Sequence, residues 1–258
     1  MESVSQIIKI EDLRFCYRAD RYVLDGISLS VKEGESVGVI GCNGVGKSTF
    51  LKILVGLLPA YEGSVRIAGL SLEKENYGEI RRRLGYVFQD SDSQLFMNTV
   101  REDVSFGPLN YGFSEPEVKK SVEEALRKTH LEHLADRHIY RLSGGEKKLA
   151  AIAGILALQQ DEGIILMDEP SASLDPANRE NLIQVIRELK GAKLLASHDL
   201  DFIYDTCERT VVLCGGKIVY DGDTKEVLKN KKFLEENGLR LPLSFRFQAV
   251  ESGSGAGV

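Results

Sequence analysis

The chain has 258 residues, of which 43% are hydrophobic and 28% charged, with a formal net charge of −6 and a pI near 5.4. That balance suits one large α/β domain, or a domain with a substantial insertion, and excludes global disorder. The acidic surplus argues against a broad nucleic-acid footprint, and the longest apolar run, Leu149 to Leu158, falls far short of the ~20 residues of a membrane-spanning helix.

The N-terminus, with Glu2, Lys9, Glu11 and Asp12 around short apolar pieces, lacks the basic region and long apolar core of a signal peptide. Cys16, Cys42, Cys207 and Cys214 form no C-x-x-C pair, so neither a zinc site nor a disulfide framework is indicated. A reducing cytoplasm is the simplest setting.

Short β-type runs from Ile7 to Phe15, Val23 to Val31 and Ser64 to Ala68 predict a small, mostly antiparallel sheet. Tyr17, at the end of the first run, either stacks its ring on adenine or packs under the sheet. A buried strand then runs into Gly41-Cys42-Asn43-Gly44-Val45-Gly46-Lys47-Ser48-Thr49 and a helix, which fits the phosphate loop G-x-x-x-x-G-K-[ST]. Each residue type serves a triphosphate. Gly41, Gly44 and Gly46 let backbone N–H groups wrap the phosphates at a helix N-terminus. Lys47 supplies a mobile positive charge, Ser48 a hydroxyl for Mg²⁺, and Thr49 a further phosphate contact. Cys42 is either a thiol made more reactive by the helix N-terminus or a small filler.

The helix is expected to reach Gly56 or Leu57, and Pro59 with Gly63 predicts a turn. Arg81-Arg82-Arg83 reads as a solvated helix face. The strand through Tyr86 and Val87 delivers Gln89 to the ligand crevice, where it would reach Mg²⁺ or the attacking water; the alternative is a surface glutamine. From Val100 to about His138 the pattern turns helical and amphipathic. This predicts an inserted helical subdomain whose task is contact with something else.

Ser143-x-x-Glu146 is a capping box at a helix N-terminus. That leaves Gly144 and Gly145 unexplained, since two adjacent glycines there bare backbone N–H groups to an anion. Gly163 to Pro170 is an apolar strand ending in Asp168 and Glu169. Asp168 would hold Mg²⁺ through water and Glu169 would act as general base on the attacking water, unless the pair is mere strand punctuation. Asp175 caps a helix opened by Pro176, and the strand from Lys193 to Ser197 delivers His198, either structural or bonded to the γ-phosphate. A Gly215-Gly216 hairpin and two short helices follow, and the Ser252 to Gly257 tail is expected to be flexible.

In order and approximate spacing, Gly41 to Thr49, Gln89, Leu142-Ser143-Gly144-Gly145-Glu146, Asp168-Glu169, Asp175 and His198 resemble an ABC-type ATPase over nearly the whole chain. The resemblance implies an α/β fold: a P-loop core with a parallel sheet, a small antiparallel β subdomain and an inserted helical subdomain at about 95–160. One ATPase domain over 1–240 would be followed by an extension and tail over 241–258. It also implies ATP and Mg²⁺, adenine stacking on Tyr17, and a head-to-tail pair in which Ser143, Gly144 and Gly145 of one copy close over the ATP held by Lys47 and Ser48 of the other. Because one chain carries every motif, a homodimer is the simpler expectation.

Phe88-Gln89-Asp90-Ser91-Asp92-Ser93-Gln94-Leu95-Phe96, Val104 to Asn110, Glu146-Lys147-Lys148 and Gly238 to Pro242 are similar to the energy-coupling-factor importers, especially their cobalt and nickel branch. A vitamin importer is the alternative. That resemblance implies a transmembrane coupling subunit, a substrate-binding membrane subunit and a peripheral place on the cytoplasmic face of the membrane. Leu149 and Gly154 stand where the wider family commonly has arginines. A soluble ABC ATPase of nucleic acid or ribosomes would usually carry long coiled coils, zinc pairs or two cassettes, and none appears, so no nucleic-acid partner is expected.

Overall fold

The computed structural model describes residues 6–18, 21–59, 61–159 and 163–245. Alternating polarity makes β1 (Gln6–Phe15) a half-buried strand that turns Ile8, Ile10, Leu13 and Phe15 inward. It pairs antiparallel with β2 (Leu24–Lys32) and β4 (Glu62–Ile67), and β5 (Leu70–Ser71) extends the sheet in the order β2-β1-β4-β5.

Gly63 does not sit in a turn; it lies inside β4 with φ +90°. A Cβ there would collide with the carbonyl oxygens of Glu11 and Asp12, where the β1–β4 register slips between Glu11 and Arg14. Asp12 is itself left-handed at φ +49°, so the bulge needs glycine opposite it. Gly63→Ala is expected to cost about 1–3 kcal/mol, read as a lower urea midpoint at unchanged slope.

The second sheet has the order β10 (Lys217–Asp223), β9 (Arg209–Cys214), β3 (Ser36–Gly41), β8 (Ala192–Ala196), β7 (Ile164–Asp168), β6 (Leu84–Val87). All neighbours are parallel except the β9–β10 hairpin, closed by Gly215 and Gly216 at φ +56° and +79°. β10 runs from the hairpin to Asp223, which caps the next helix through its side chain.

Strands with both faces covered read as continuous apolar runs, and their residues divide alternately between two cores. Val37, Val39, Leu166 and Leu194 join α1 (Lys47–Leu54) and the inner face of the antiparallel sheet. Ile40, Ile165, Met167, Leu195 and Val212 join the helices of the other side. α1 stops before the predicted Gly56, because Gly56 is left-handed at φ +70° and donates to Ile53 O at 2.8 Å while Leu57 donates to Lys52 O at 2.9 Å.

Arg81 to Arg83 close α2 (Tyr77–Arg83), exposed as expected. Capping boxes at Thr99 with Glu102 and Ser114 with Glu117 open α3 (Val100–Asn110) and α4 (Glu115–Lys128), which pack with α5 (Gly144–Gln159). α5 approaches the sheet at Gly85, where any Cβ would strike Ile155. α6 (Pro176–Glu188), α7 (Leu200–Thr206), α8 (Thr224–Lys229) and α9 (Lys231–Glu236) complete the fold.

Beyond α9, Leu239 and Leu241 lie against the helical core, and the Asp201 carboxylate accepts from Leu243 N at 2.7 Å and Ser244 N at 3.1 Å. The predicted flexible tail, Ser252 to Gly257, lies outside the described residues. No helix among those residues is long and apolar enough to cross a membrane.

Candidate active site

β3, β6, β7 and β8 all end on one edge of the sheet, which gathers Gly41, Gln89, Asp168, Glu169 and His198 at their carboxyl ends. After Gly41 the chain turns through Gly44 at φ +77° and Gly46 at φ +109° into α1. A Cβ on Gly44 would project into open space with nothing within 4 Å, whereas one on Gly46 would press on Val23 and Leu24. Lys47 is folded into this cradle, 6% exposed, and donates to Gly41 O at 2.9 Å and Cys42 O at 3.4 Å. The loop thus holds a buried positive charge on carbonyl dipoles, with Glu169 Oε1 4.0 Å away.

Asp168, 3% exposed, accepts from the Ser48 hydroxyl at 2.9 Å through Oδ1 and from the Tyr86 hydroxyl at 3.1 Å through Oδ2. Burial, and then the Asp168 charge, hold the Tyr86 phenol well above its ordinary range, so it stays a donor. Glu169 is left-handed at φ +46°, a strained conformation of the kind that clusters at functional sites. Its Oε2 accepts from Ser197 Oγ at 3.1 Å and His198 N at 3.2 Å, and lies 2.8 Å from His198 Nδ1. His198 Nε2 has no hydrogen-bond partner among the described residues.

Tyr17 is 61% exposed, its ring edge-on to Phe15 and its hydroxyl 3.1 Å from Thr49 Oγ1. It sits on the rim of the phosphate loop rather than under the sheet. The Cys42 thiol points away from the cradle, at Asn237 O and Gly238 O, 3.4 and 3.2 Å distant. A cavity of about 740 Å³ opens there, bounded by Gly41 to Asn43, Ser171 to Ser173, His198 and the C-terminal segment from Gly238 to Leu243.

Gln89 is exposed, and its carbonyl accepts from Lys148 Nζ at 2.8 Å. At the start of α5 the capping box forms: Ser143 N donates to Glu146 Oε2 at 2.6 Å, and Glu146 N to Ser143 Oγ at 3.3 Å. Gly145 is pressed onto Asn178, which Asp175 holds through its backbone N–H at 3.0 Å and its amide. Gly144 faces open space. Glu146 and Asp175 therefore shape backbone within this chain, with their carboxylates engaged locally. Among the described residues, no hydrogen bond or ion pair joins Ser143 to Glu146 with the phosphate loop.

A family model described as ABC transporter matches residues 24–172. The chain belongs to the ABC transporter ATPase family. It is 41% identical over 239 residues to the energy-coupling factor transporter ATP-binding protein EcfA of Carboxydothermus hydrogenoformans, covering 92% of this chain and 87% of that one. It is 38% identical over 252 residues to EcfA1 of Bacillus subtilis, covering 95% and 89%. The structure of cbiO1 from Clostridium perfringens, part of the ABC transporter complex cbiONQ, is similar with a TM-score of 0.81 and 34% identity over 95% of this chain and 99% of that one. The ABC ATPase is thus the ATP-hydrolysing subunit of an energy-coupling-factor-type transporter, with the expected fold and with ATP and Mg²⁺ as its ligands.

The residues present fit both ligands. The open space at Gly44 and the ammonium with only carbonyls in hydrogen-bond reach suit a phosphate chain. The buried Asp168, held by two neutral hydroxyls, suits a divalent cation with oxygen ligands.

Three residues of this ABC ATPase escaped the sequence. Tyr86 in β6 and Ser197, just past the end of β8, are anonymous residues until the fold sets them against Asp168 and Glu169. Gln94 accepts from Phe88 N at 3.0 Å and donates to Tyr86 O at 3.1 Å, fixing the strand end that carries Gln89.

Proposed function

We propose that this ABC ATPase works as two copies placed head to tail and powers import of cobalt or nickel ions through a membrane coupling subunit. The observation that supports the pairing is that, among the described residues, no hydrogen bond or ion pair ties Ser143 to Glu146 to the phosphate loop, while Gly144 faces open space. Two copies of one chain would bring the glycines of each to the cradle of the other.

In this reading Lys47 and the phosphate-loop N–H groups bind and orient the triphosphate, Thr49 adds a contact, and Tyr17, exposed at the rim of the loop, takes the adenine. Ser48, Asp168 and Gln89 would hold Mg²⁺, which when bound draws charge from the phosphate oxygens. Glu169 keeps Oε2 anchored by Ser197 and His198, leaving Oε1 to accept the proton of the attacking water. With both ring nitrogens protonated, His198 donates from Nδ1 to that carboxylate and from Nε2 to the γ-phosphate. Ser143, Gly144 and Gly145 of the partner copy close over the nucleotide.

An exposed aromatic patch supports docking to a membrane partner. Phe96 and Phe106 meet edge-to-face at 4.7 Å beside exposed Leu109, and Arg82 lies over the Tyr111 ring at 5.2 Å. An amphipathic segment of a transmembrane subunit suits such a surface and would hold the ATPase at the cytoplasmic face. The cobalt and nickel assignment is supported by the likeness of Phe88 to Phe96 and Val104 to Asn110 to that branch.

A tagged Glu169→Gln chain, pulled down from detergent-solubilised membranes with Mg-ATP, tests the proposal. Membrane proteins with bound cobalt or nickel are the expected result, and a bound vitamin would move the assignment to the sister branch. Recovery with soluble or nucleic-acid partners only would overturn the membrane role.

A further inference from the structure

Lys148 has not entered the chemistry so far, yet its placement is costly. It is 2% exposed, and its ammonium donates to Phe88 O at 2.7 Å and Gln89 O at 2.8 Å. None of the ion pairs among the described residues includes it. Burial pulls the pKa of the Lys148 ammonium down to about 8 even though the Asp90 and Asp168 charges favour the charged form, and a methionine or leucine would fill the same volume without that cost. A side chain kept only for packing would not be a lysine.

What the charge grips is the end of the β6 strand, at the peptide that presents Gln89. The same stretch is held on its other side by Gln94, through Phe88 N and Tyr86 O. Lys148 itself lies on the opening turns of α5, two residues past the Glu146 of the capping box. Neighbouring Lys147 pairs with Asp92 farther along the loop, but Asp92 is exposed and such a pair contributes little.

We propose that Lys148 is a positioning residue that locks the Gln89 peptide to the first turns of α5, so that Gln89 and the Ser143-Gly144-Gly145 segment move as one body. A shift of the loop that leads on to the Phe96 patch would then reach the signature glycines through this ammonium. The inference rests on Gln89 acting at the ATP site.

The test is a double-mutant cycle with Lys148→Met and Gln89→Ala in the full chain. Each single variant is expected to lower kcat about 10–100-fold, the usual effect of removing a supporting partner of a site ligand, with KM for ATP moved less than about threefold. Because both act through one peptide, the double variant is expected to be no slower than the worse single.

Amide hydrogen exchange gives a readout independent of turnover: without nucleotide, Lys148→Met is expected to speed exchange in the 88–96 segment while other protection stays. Losses that multiply, or unchanged exchange in that segment, would mean that Lys148 serves the fold alone. A slow Gln89→Ala beside a normal Lys148→Met would sink this inference only, whereas a normal Gln89→Ala would sink the role of Gln89 and this inference with it.

Discussion

Glu169→Gln is expected to reduce phosphate release by about 10²–10⁴-fold, the contribution typical of a positioned general base, while ATP binding survives. The geometry explains why the two effects separate. Glutamine is nearly isosteric, so its amide oxygen still accepts from Ser197 Oγ and His198 N, and the strained φ of +46° is retained. What vanishes is the basicity at the position of Oε1 and the negative charge 4.0 Å from Lys47. Removing that charge leaves Lys47 without its nearest anionic competitor, so affinity for Mg-ATP is expected to hold or rise. Phosphate release measured beside equilibrium nucleotide binding distinguishes the outcomes. Near-normal hydrolysis would remove Glu169 from its role, and parallel loss of both would mean that the carboxylate holds the cradle together.

Where local chemistry dictates structure, the sequence is legible. The glycines, Lys47 and Ser48 mark the phosphate loop because each is required by backbone geometry or charge at a fixed spacing. Ser143 with Glu146, and Asp175 with Pro176, mark helix starts for the same reason, and both form as the spacing predicts. Contacts made by the fold are not legible. Tyr86 reaches Asp168 across 82 residues and the Cys42 thiol reaches Asn237 O across 195, and no local pattern announces either. Gly63 reads as a turn because a strand glycine facing a left-handed Asp12 has no signature in one strand alone. Lys148 stands in a charged run with Glu146 and Lys147, where nothing local announces its burial, and only the fold seats its ammonium on Phe88 O and Gln89 O.

Lys47→Ala is expected to weaken nucleotide binding about 10–100-fold, from the ~1.5–3 kcal/mol of a hydrogen bond to a charged group and ~1.4 kcal/mol per tenfold in affinity. The nucleotide-free fold is expected to change little. In that state the ammonium donates to Gly41 O and Cys42 O, and its burial carries a desolvation cost that offsets those bonds. Alanine removes both terms, and the open cradle at Gly44 lets water reach the freed carbonyls. Lys47→Arg is not expected to rescue binding, because a planar guanidinium needs more room than an ammonium seated between two carbonyls 2.9 and 3.4 Å away. Equilibrium dialysis with labelled ATP, paired with urea denaturation of the free protein, reads the two quantities separately. Reduced stability with unchanged affinity would make Lys47 a buried structural charge and overturn the phosphate-loop assignment, whereas weak binding by an intact fold ties the charge to the nucleotide.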